Sequence, residues 1–293
     1  MDKQAPIFFT IASDESELRG AKLLLESLRQ FGGQLSHASF WVFTPPGFSS
    51  AIPEAWKNAQ FHQIEEVPAN PGYFFAAKAC AWAQAENSAA KLTHSLIWID
   101  PCCLILNEPQ QLVLEGHLKA ALRPVHIRNV GQPASQPLDG FWNAIYQQCG
   151  ATPTTPIHSF VDEQAILPYF NSHCFCVEPQ TGVLTRALRN LHALANDAGF
   201  MAEFCNDQLH RIFLFQCVLS ATYLSLFSVN AIRLLPPGYG YPFHLQERIA
   251  PERQLRTLAD IPVLVYEEEQ NLPLVFERMQ PTAAQQAWFA SRN

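Results

Sequence analysis

Charged residues are scarce in this chain, and its basic residues form no cluster. Only 15% of the 293 residues are charged, and the formal net charge is −7. Nucleic-acid binding needs grouped lysines and arginines that contact phosphates, so the composition argues against a nucleic-acid partner. Hydrophobic residues make up 48% of the chain, which is too many for a disordered protein. A chain of this length is expected to form one large domain, with or without a small tail.

Targeting and membrane-spanning signals are also missing. The first apolar run, residues 7–12, is too short and too acidic at its flanks to be part of a secretory signal peptide. The longest apolar stretch, residues 212–229, approaches the length of a membrane span but lacks asymmetric basic flanks. It also contains five polar residues: Gln216, Ser220, Thr222, Ser225 and Ser228. We therefore predict a core helix rather than a transmembrane segment, and a cytoplasmic protein.

Familiar catalytic motifs are absent as well. The sequence has no phosphate loop, no dinucleotide fingerprint, no Gly-x-Ser-x-Gly elbow and no His-Glu-x-x-His helix. Kinase, dehydrogenase, serine-hydrolase and zinc-protease functions therefore lose their main support. The eight cysteines are irregularly spaced and lie mostly in apolar segments, where a free cysteine behaves as a small hydrophobe. We expect them to be reduced.

The order of elements predicts an α/β fold. Up to about residue 110, apolar strands alternate with helices. The strands are predicted over 7–12, 40–43, 61–67 and 96–99. One helix begins at a capping pair, Asp14 and Glu17, and another is predicted over 73–90. Beyond a loop-bearing insertion at 131–156, the pattern predicts a strand over 169–177, helices over 181–198 and 203–229, and a strand over 232–235. We predict a Rossmann-like, mostly parallel sheet flanked by helices in a domain over 1–248, and a peripheral extension over 249–293.

One strand end is chemically distinctive. The buried run Leu96-Ile97-Trp98-Ile99 stops abruptly at Asp100-Pro101-Cys102. In open parallel sheets, ligands bind at the carboxyl ends of strands, so Asp100 is a candidate site residue. The segment resembles the Asp-x-Asp element of GT-A glycosyltransferases, in particular the glycogenin and lipopolysaccharide-galactosyltransferase group. That resemblance implies a GT-A-like fold, a nucleotide-diphosphate sugar as donor, and Mn²⁺ or Mg²⁺ bridging its diphosphate.

Other segments resemble the same family in matching order over residues 7–245. The resemblance implies that the first strand (Thr10), Lys78 and Asp100 bind the nucleotide. It further implies that Asn171 contacts the donor sugar and that the Asp207-Gln208 pair lies beside the reacting carbon as the catalytic residues. His244, in a late Pro- and Gly-rich loop, would share the metal with Asp100.

The chain departs from the family pattern at two positions and in one C-terminal motif. Cys102 replaces the second aspartate, and a thiol is a poor ligand for Mg²⁺ or Mn²⁺. His173 stands where the family has a glycine after the Asn171 strand start. The terminal His-x-x-Gly-x-x-Lys-Pro-Trp signature is missing. These departures weaken the case for ordinary metal-assisted transfer.

Each candidate residue also has a plain structural explanation. Asp100 could be a turn residue before Pro101, and Asn171 a hydrogen-bonding residue at the start of a strand. Asp207 suits a solvated helix N-terminus, where a carboxylate interacts favourably with the helix dipole. Lys78 could be a surface lysine, and His244 a loop histidine with its own hydrogen-bond partners.

The cysteine thiols suggest an alternative metal site. Cys102, Cys103, Cys174 and Cys176, with His173 nearby in sequence, could converge on a soft metal. However, the spacings are not those of a zinc knuckle, and on a strand His173 points away from Cys174 and Cys176. Buried small side chains are the default interpretation.

Three functions remain open from the sequence. The first is a glycosyltransferase with an unknown acceptor. The second is a protein of the same fold that is catalytically inactive because Cys102 disrupts the metal motif, and that binds a nucleotide or glycan without turnover. The third is a partner or scaffold protein that uses its 12% aromatic residues at a surface.

Overall fold

The computed structural model describes residues 5–48, 56, 59–65 and 75–292. The predicted strand end at Val67 and helix start at Tyr73 lie outside these ranges. The described chain forms twelve strands. They are β1 (Ile7–Ile11), β2 (Ser39–Thr44), β3 (Ala59–Gln63), β4 (Leu96–Ile99), β5 (Cys103–Ile105), β6 (Ala120–Pro124), β7 (Ile157–His158), β8 (Ala165–Ile166), β9 (Phe170–Val177), β10 (Ile232–Leu234), β11 (Tyr239–Pro242) and β12 (Val263–Val265).

The central sheet has seven strands in the order β10-β6-β9-β4-β1-β2-β3. Six of them are parallel, and β9 runs antiparallel to both of its neighbours, β4 and β6. The start of β9 therefore lies at the same edge as the carboxyl ends of β4 and β6. The predicted mixed, mostly parallel sheet is confirmed, and this edge is where ligands bind in such sheets.

Eight helices accompany the strands among the described residues. They are α1 (Glu15–Phe31), α2 (Ala76–Ala89), α3 (Gly140–Cys149), α4 (Val183–Ala195), α5 (Ala198–Phe204), α6 (Gln208–Leu226), α7 (Leu272–Arg278) and α8 (Ala283–Ala290). The predicted capping pair is confirmed, because Asp14 accepts the Glu17 backbone N–H and Glu17 in turn accepts that of Ser13. The predicted single helix over 203–229 is wrong, because Asp207 caps a new helix at Gln208.

The sheet is covered on both faces. Phe9, Trp98 and Phe175 point towards α2, α3, α4 and α6, with which they form the larger apolar core. Phe8 and Ile97 point to the other face, against α1. The strands are apolar on both sides because neither face of this sheet meets water.

A second sheet, β11-β12-β5, joins the C-terminal residues to the rest of the chain. Strand β12 lies between β11 and β5. Its Leu264 side chain packs in one cluster with those of α7 and α8, whereas Val263 and Val265 pack in the core that faces α1. The C-terminal segment is thus integrated with β5 and β11 instead of lying at the periphery. A domain boundary at residue 248 stays a prediction.

Helix α6 is the one described helix that is long and apolar enough to cross a membrane by length and composition. A core helix passes the same test, and 56% of the apolar window of α6 is buried inside the protein. Gln216, Ser220 and Thr222 are buried and hydrogen-bonded to neighbouring groups. These bonds satisfy the polar side chains in the core, as the sequence-based interpretation of this stretch requires.

Candidate functional site

A cavity of about 580 Å³ opens at the edge where the strands of the central sheet end. Its walls come from the segments after β4, β6, β11 and β12, the start of β9, and helices α1, α2 and α6. Its size falls within the range of about 300–1,000 Å³ that is usual for small-molecule sites. The position and volume make this cavity the candidate ligand site.

The turn after β4 is fixed from two sides. A Cβ added to Gly20 in α1 would lie 2.3 Å from the carbonyl oxygen of Pro101, so only glycine allows this approach of helix and turn. From the other side, the Tyr266 hydroxyl donates to the Pro101 carbonyl at 2.9 Å, and the Tyr266 backbone N–H donates to the Cys102 carbonyl at 3.0 Å. These contacts place the segment after β12 against the Asp100-Cys102 turn.

Lys78 and Asp100 form an ion pair on the cavity wall. Lys78 Nζ lies 2.5 Å from Asp100 Oδ2, and the two side chains are only 13% and 10% exposed. Burial is the largest influence on both groups and opposes their charges, but their mutual attraction outweighs it. The pKa of Asp100 therefore lies below its ordinary value, and that of Lys78 lies above it.

A second polar cluster lies beside this pair. Cys102, His173 and Glu267 each offer a ligand atom, and these atoms lie within 4.8 Å of one another. His173 Nε2 is 3.4 Å from Glu267 Oε2, and His244 Nδ1 is 3.9 Å from the same oxygen. The three residues come from separate elements: the turn after β4, strand β9 and the segment after β12.

Asn171 fixes the orientation of the His173 ring. Its Oδ1 accepts the backbone N–H of His173 at 2.7 Å and lies 2.9 Å from His173 Nδ1. An amide oxygen accepts only, so Nδ1 carries the proton of this hydrogen bond. In the neutral ring, Nε2 is therefore the free lone pair, and it faces Glu267.

The protonation of the cluster follows from its contacts. A hydrogen bond with Cys103 and burial raise the pKa of the Cys102 thiol well above its ordinary value. Burial lowers the pKa of His173, but the Cys102 sulfur and the Glu267 carboxylate outweigh burial and hold it well above the ordinary value. The His173 imidazole in turn lowers the pKa of Glu267. Without a cation, Cys102 is thus a neutral thiol beside a histidine–carboxylate pair.

Two further histidines complete this wall. The His126 ring lies parallel to that of His173, with 5.7 Å between the ring centroids, and its Nε2 contacts the Gly240 carbonyl at 2.8 Å. Burial lowers the pKa of His126 well below its ordinary value, and burial also lowers that of His244. Both rings are therefore neutral at physiological pH.

The structure brings four of the seven predicted site residues together. Lys78, Asp100, Asn171 and His244 line the cavity. Thr10 does not: it is fully buried in β1 among the side chains that face α1. The Lys78–Asp100 pair shows that Lys78 is not an ordinary surface lysine.

The predicted catalytic pair Asp207-Gln208 lies outside the cavity lining. Asp207 is the N-cap of α6, its Oδ1 accepts the His210 backbone N–H at 3.0 Å, and its side chain is 57% exposed. Gln208, the first residue of the helix, is exposed. The structure thus places both residues as the plain structural explanation of Asp207 requires, and their catalytic role remains a prediction without geometric support.

Only part of the thiol cluster considered from the sequence converges. Cys102 and His173 meet, whereas Cys103, Cys174 and Cys176 are buried in the core that faces α1. Glu17, His126 and Glu267 also line the cavity, although they were not among the site residues predicted from the sequence. For Glu267 a signal existed: an apolar run, 261–265, ends in Tyr266 and three glutamates, which is the pattern of a buried strand that ends at a polar edge.

The residues at the Asp-x-Asp position do not fit Mn²⁺ or Mg²⁺. One carboxylate oxygen of Asp100 is taken by Lys78, and the other accepts the Cys102 backbone N–H at 3.3 Å. Cys102 offers sulfur where a hard cation needs oxygen. The predicted Asp100–His244 metal set therefore lacks a free carboxylate.

Comparison with known proteins supports the fold. No protein-family description and no curated protein sequence matches the chain. The glycosyltransferase GlyE of Streptococcus pneumoniae TIGR4 has a similar structure, with 10% identity, a TM-score of 0.50 and coverage of 99% of this chain and 60% of GlyE. The apo form of GlyE gives 11% identity with the same TM-score and coverage. LgtC in complex with donor and acceptor sugar analogues gives 10% identity and a TM-score of 0.49 over 96% of this chain and 99% of LgtC.

The chain spans less than two thirds of the length of two structurally similar proteins. It covers 60% of GlyE and 46% of the bifunctional glycosyltransferase WbbM. At these identities the similarity concerns the fold. The chain has a GT-A-type α/β fold, and the fold expected from the sequence resemblance is confirmed.

Proposed function

We propose that this chain is a glycosyltransferase that binds a nucleotide-diphosphate sugar in the cavity and transfers the sugar to an acceptor. One observation carries the proposal: in a GT-A-type fold, one cavity at the strand ends brings together Lys78, Asp100, Asn171 and His244. These residues come from four separate segments, and the sequence resemblance had named each of them. The donor base, the sugar, the acceptor and a cytoplasmic location stay predictions.

The transfer that we propose breaks the bond between the anomeric carbon and the diphosphate oxygen. A hydroxyl oxygen of the acceptor forms the new bond to that carbon, and its proton leaves to the released phosphate or to solvent. Lys78 is the single Lys or Arg among the described residues that line the cavity, so it is the group that would attract the diphosphate. The side-chain oxygens of Asn171 and Gln216 are bonded within the protein, so their amide N–H groups would donate hydrogen bonds to sugar hydroxyls.

The charge of the cavity sets a condition on this function. The carboxylates of Glu17, Asp100 and residues 267–269 line the cavity, against the ammonium group of Lys78 and the His173 imidazole, whose pKa is raised by its contacts. An anionic diphosphate would be repelled by this surplus of carboxylates. We therefore infer that a cation accompanies the donor, at a place other than the Asp100 carboxylate.

A second function, binding without turnover, is favoured by the Lys78–Asp100 pair. The pair neutralises the carboxylate that would otherwise face a metal, and Cys102 replaces its expected partner. A protein altered in this way could still hold a nucleotide or a glycan in the cavity. Wild-type turnover of any donor would exclude this alternative.

Calorimetry tests the proposal. The full chain would be titrated with UDP, GDP and ADP, each with and without a divalent cation, and we expect saturable binding of at least one of them. Lys78→Met should abolish that binding, whereas Lys22→Met, a lysine on the exposed face of α1, should leave it unchanged. Absence of heat for all three up to millimolar concentration would contradict the proposal. Mass spectrometry of the sugar that is released from the matching donors then separates turnover from binding.

A further inference from the structure

We propose that Cys102, His173 and Glu267 form a binding site for one zinc-type divalent cation, with a coordination position open to the cavity. The three ligand atoms already lie within 4.8 Å of one another. A tetrahedral Zn²⁺ with bonds of about 2.0–2.1 Å to nitrogen and oxygen holds those two ligands about 3.3–3.4 Å apart. His173 Nε2 and Glu267 Oε2 are separated by 3.4 Å.

The environment of His173 is that of a metal ligand. Histidines that bind metals usually donate their second ring N–H to an oxygen, which fixes the tautomer and the ring plane. Asn171 Oδ1 supplies this oxygen at 2.9 Å from Nδ1 and leaves Nε2 free for the cation. The same amide oxygen also accepts the His173 backbone N–H, so the ring and the chain are held by one group.

The donor set selects the metal. One sulfur, one imidazole nitrogen and one carboxylate oxygen suit Zn²⁺ and its spectroscopic substitute Co²⁺, whereas Mg²⁺ and Mn²⁺ prefer oxygen ligands. Three protein ligands with an open fourth position are typical of zinc sites that contact a substrate, because structural zinc sites are closed. The carboxylates of Glu17, Glu268 and Glu269, which also line the cavity, add a favourable field for a cation.

Cys102, His173 and Asn171 also resemble a nucleophilic Cys-His-Asn arrangement, in which a thiol lies beside an imidazole that contacts an amide. The position of Glu267 favours the metal site. Its carboxylate faces the same ring nitrogen, Nε2, that a nucleophilic thiol would use as its base. In a metal site this carboxylate is a third ligand.

Cobalt binding is the direct test. The full chain would be stripped of metal with a chelator and titrated with CoCl₂, followed by absorption spectroscopy. We expect saturation at one equivalent, with a thiolate-to-cobalt charge-transfer band and the visible bands of tetrahedral cobalt, and displacement by Zn²⁺ but not by equal Mg²⁺ or Mn²⁺. Absence of the charge-transfer band in the folded wild-type protein would overturn the proposal.

Variants assign the ligands. Cys102→Ser should lose the charge-transfer band, whereas Cys103→Ala, which removes the adjacent thiol, should keep it. Asn171→Ala should keep the band but weaken cobalt affinity by about 10–100-fold, because it releases the His173 ring. An unchanged band in folded Cys102→Ser would contradict the assignment.

Alkylation separates the metal site from a nucleophilic thiol. Mass spectrometry would follow iodoacetamide modification of Cys102 in the stripped protein with and without Zn²⁺. We expect slow modification that Zn²⁺ slows further; rapid modification that Zn²⁺ does not affect would overturn the proposal. None of these measurements involves a sugar donor, so the metal site and the proposed transferase function can fail independently.

Discussion

Lys78 and Asp100 are separated by 22 positions in sequence, yet Nζ and Oδ2 lie 2.5 Å apart on the cavity wall, with side chains only 13% and 10% exposed. Removing one partner leaves the charge of the other largely buried and without its ion-pair partner. We expect Lys78→Met and Asp100→Asn each to lower the free energy of unfolding by about 3–5 kcal/mol. Urea denaturation of both variants and of the double variant measures this effect. Coupling should make the double variant less destabilised than the sum of the single variants, and simple additivity would contradict the pair.

The same pair predicts an acid dependence. Because the pKa of Asp100 is lowered in the folded protein, its contribution to stability is complete above its unfolded pKa of about 3.9 and is lost as pH falls towards the folded value. The raised pKa of Lys78 keeps the ammonium charged throughout this range. The difference in unfolding free energy between wild type and Asp100→Asn should therefore be constant from pH 7 to about pH 5 and narrow below about pH 4. A difference that does not change down to pH 3 would refute this explanation.

Glu86 stabilises the start of α4 from a neighbouring helix. Its two carboxylate oxygens accept the backbone N–H groups of Leu184 and Thr185 at 2.9 and 2.7 Å, and the residue is only 1% exposed. Glu86→Ala leaves buried donors unpaired and should lower the free energy of unfolding by about 2–4 kcal/mol. Glu86→Gln keeps an acceptor and should cost less. Glu247→Ala, with a side chain that is 87% exposed, is the control.

Asp207 is expected to act as a helix cap and not in catalysis. Asp207→Ala should lower stability by about 1 kcal/mol, the usual effect of losing an N-cap side chain. Nucleotide binding, measured as above, should be unchanged because the residue does not line the cavity. Loss of binding or turnover in a variant of normal stability would restore the catalytic role that the sequence suggested.

Glu267 holds a left-handed backbone conformation, with φ of 66°, which costs a residue with a Cβ about 1–2 kcal/mol. Glu267→Gly and Glu267→Ala both remove the carboxylate, so their difference isolates the backbone. The glycine variant should be more stable by about 1 kcal/mol in thermal or urea unfolding. Equal stability would show that the backbone relaxes in the alanine variant.

Local pattern explains what could be predicted about the site. Asp100 follows a fully apolar strand. This abrupt change of polarity marks the end of the strand whatever the strand packs against in the folded protein. The capping pattern at Asp207 is equally local, but it could not tell which side of the molecule the start of α6 faces. The resemblance assigned that position to the site, whereas the structure places it outside the cavity lining.

The sequence by itself determined the alternation of apolar strands and helices, and with it the α/β sheet and the edge at which Asp100 lies. These features follow from hydrophobic period and capping, which act within a few residues. Only the tertiary structure decided that Lys78 neutralises Asp100 and that Glu267 reaches His173. Contacts between residues so distant in the chain depend on which strands pair and in which direction. Here the antiparallel direction of β9 brings His173 to the end of β4, and the position of β12 between β5 and β11 brings Glu267 to His173.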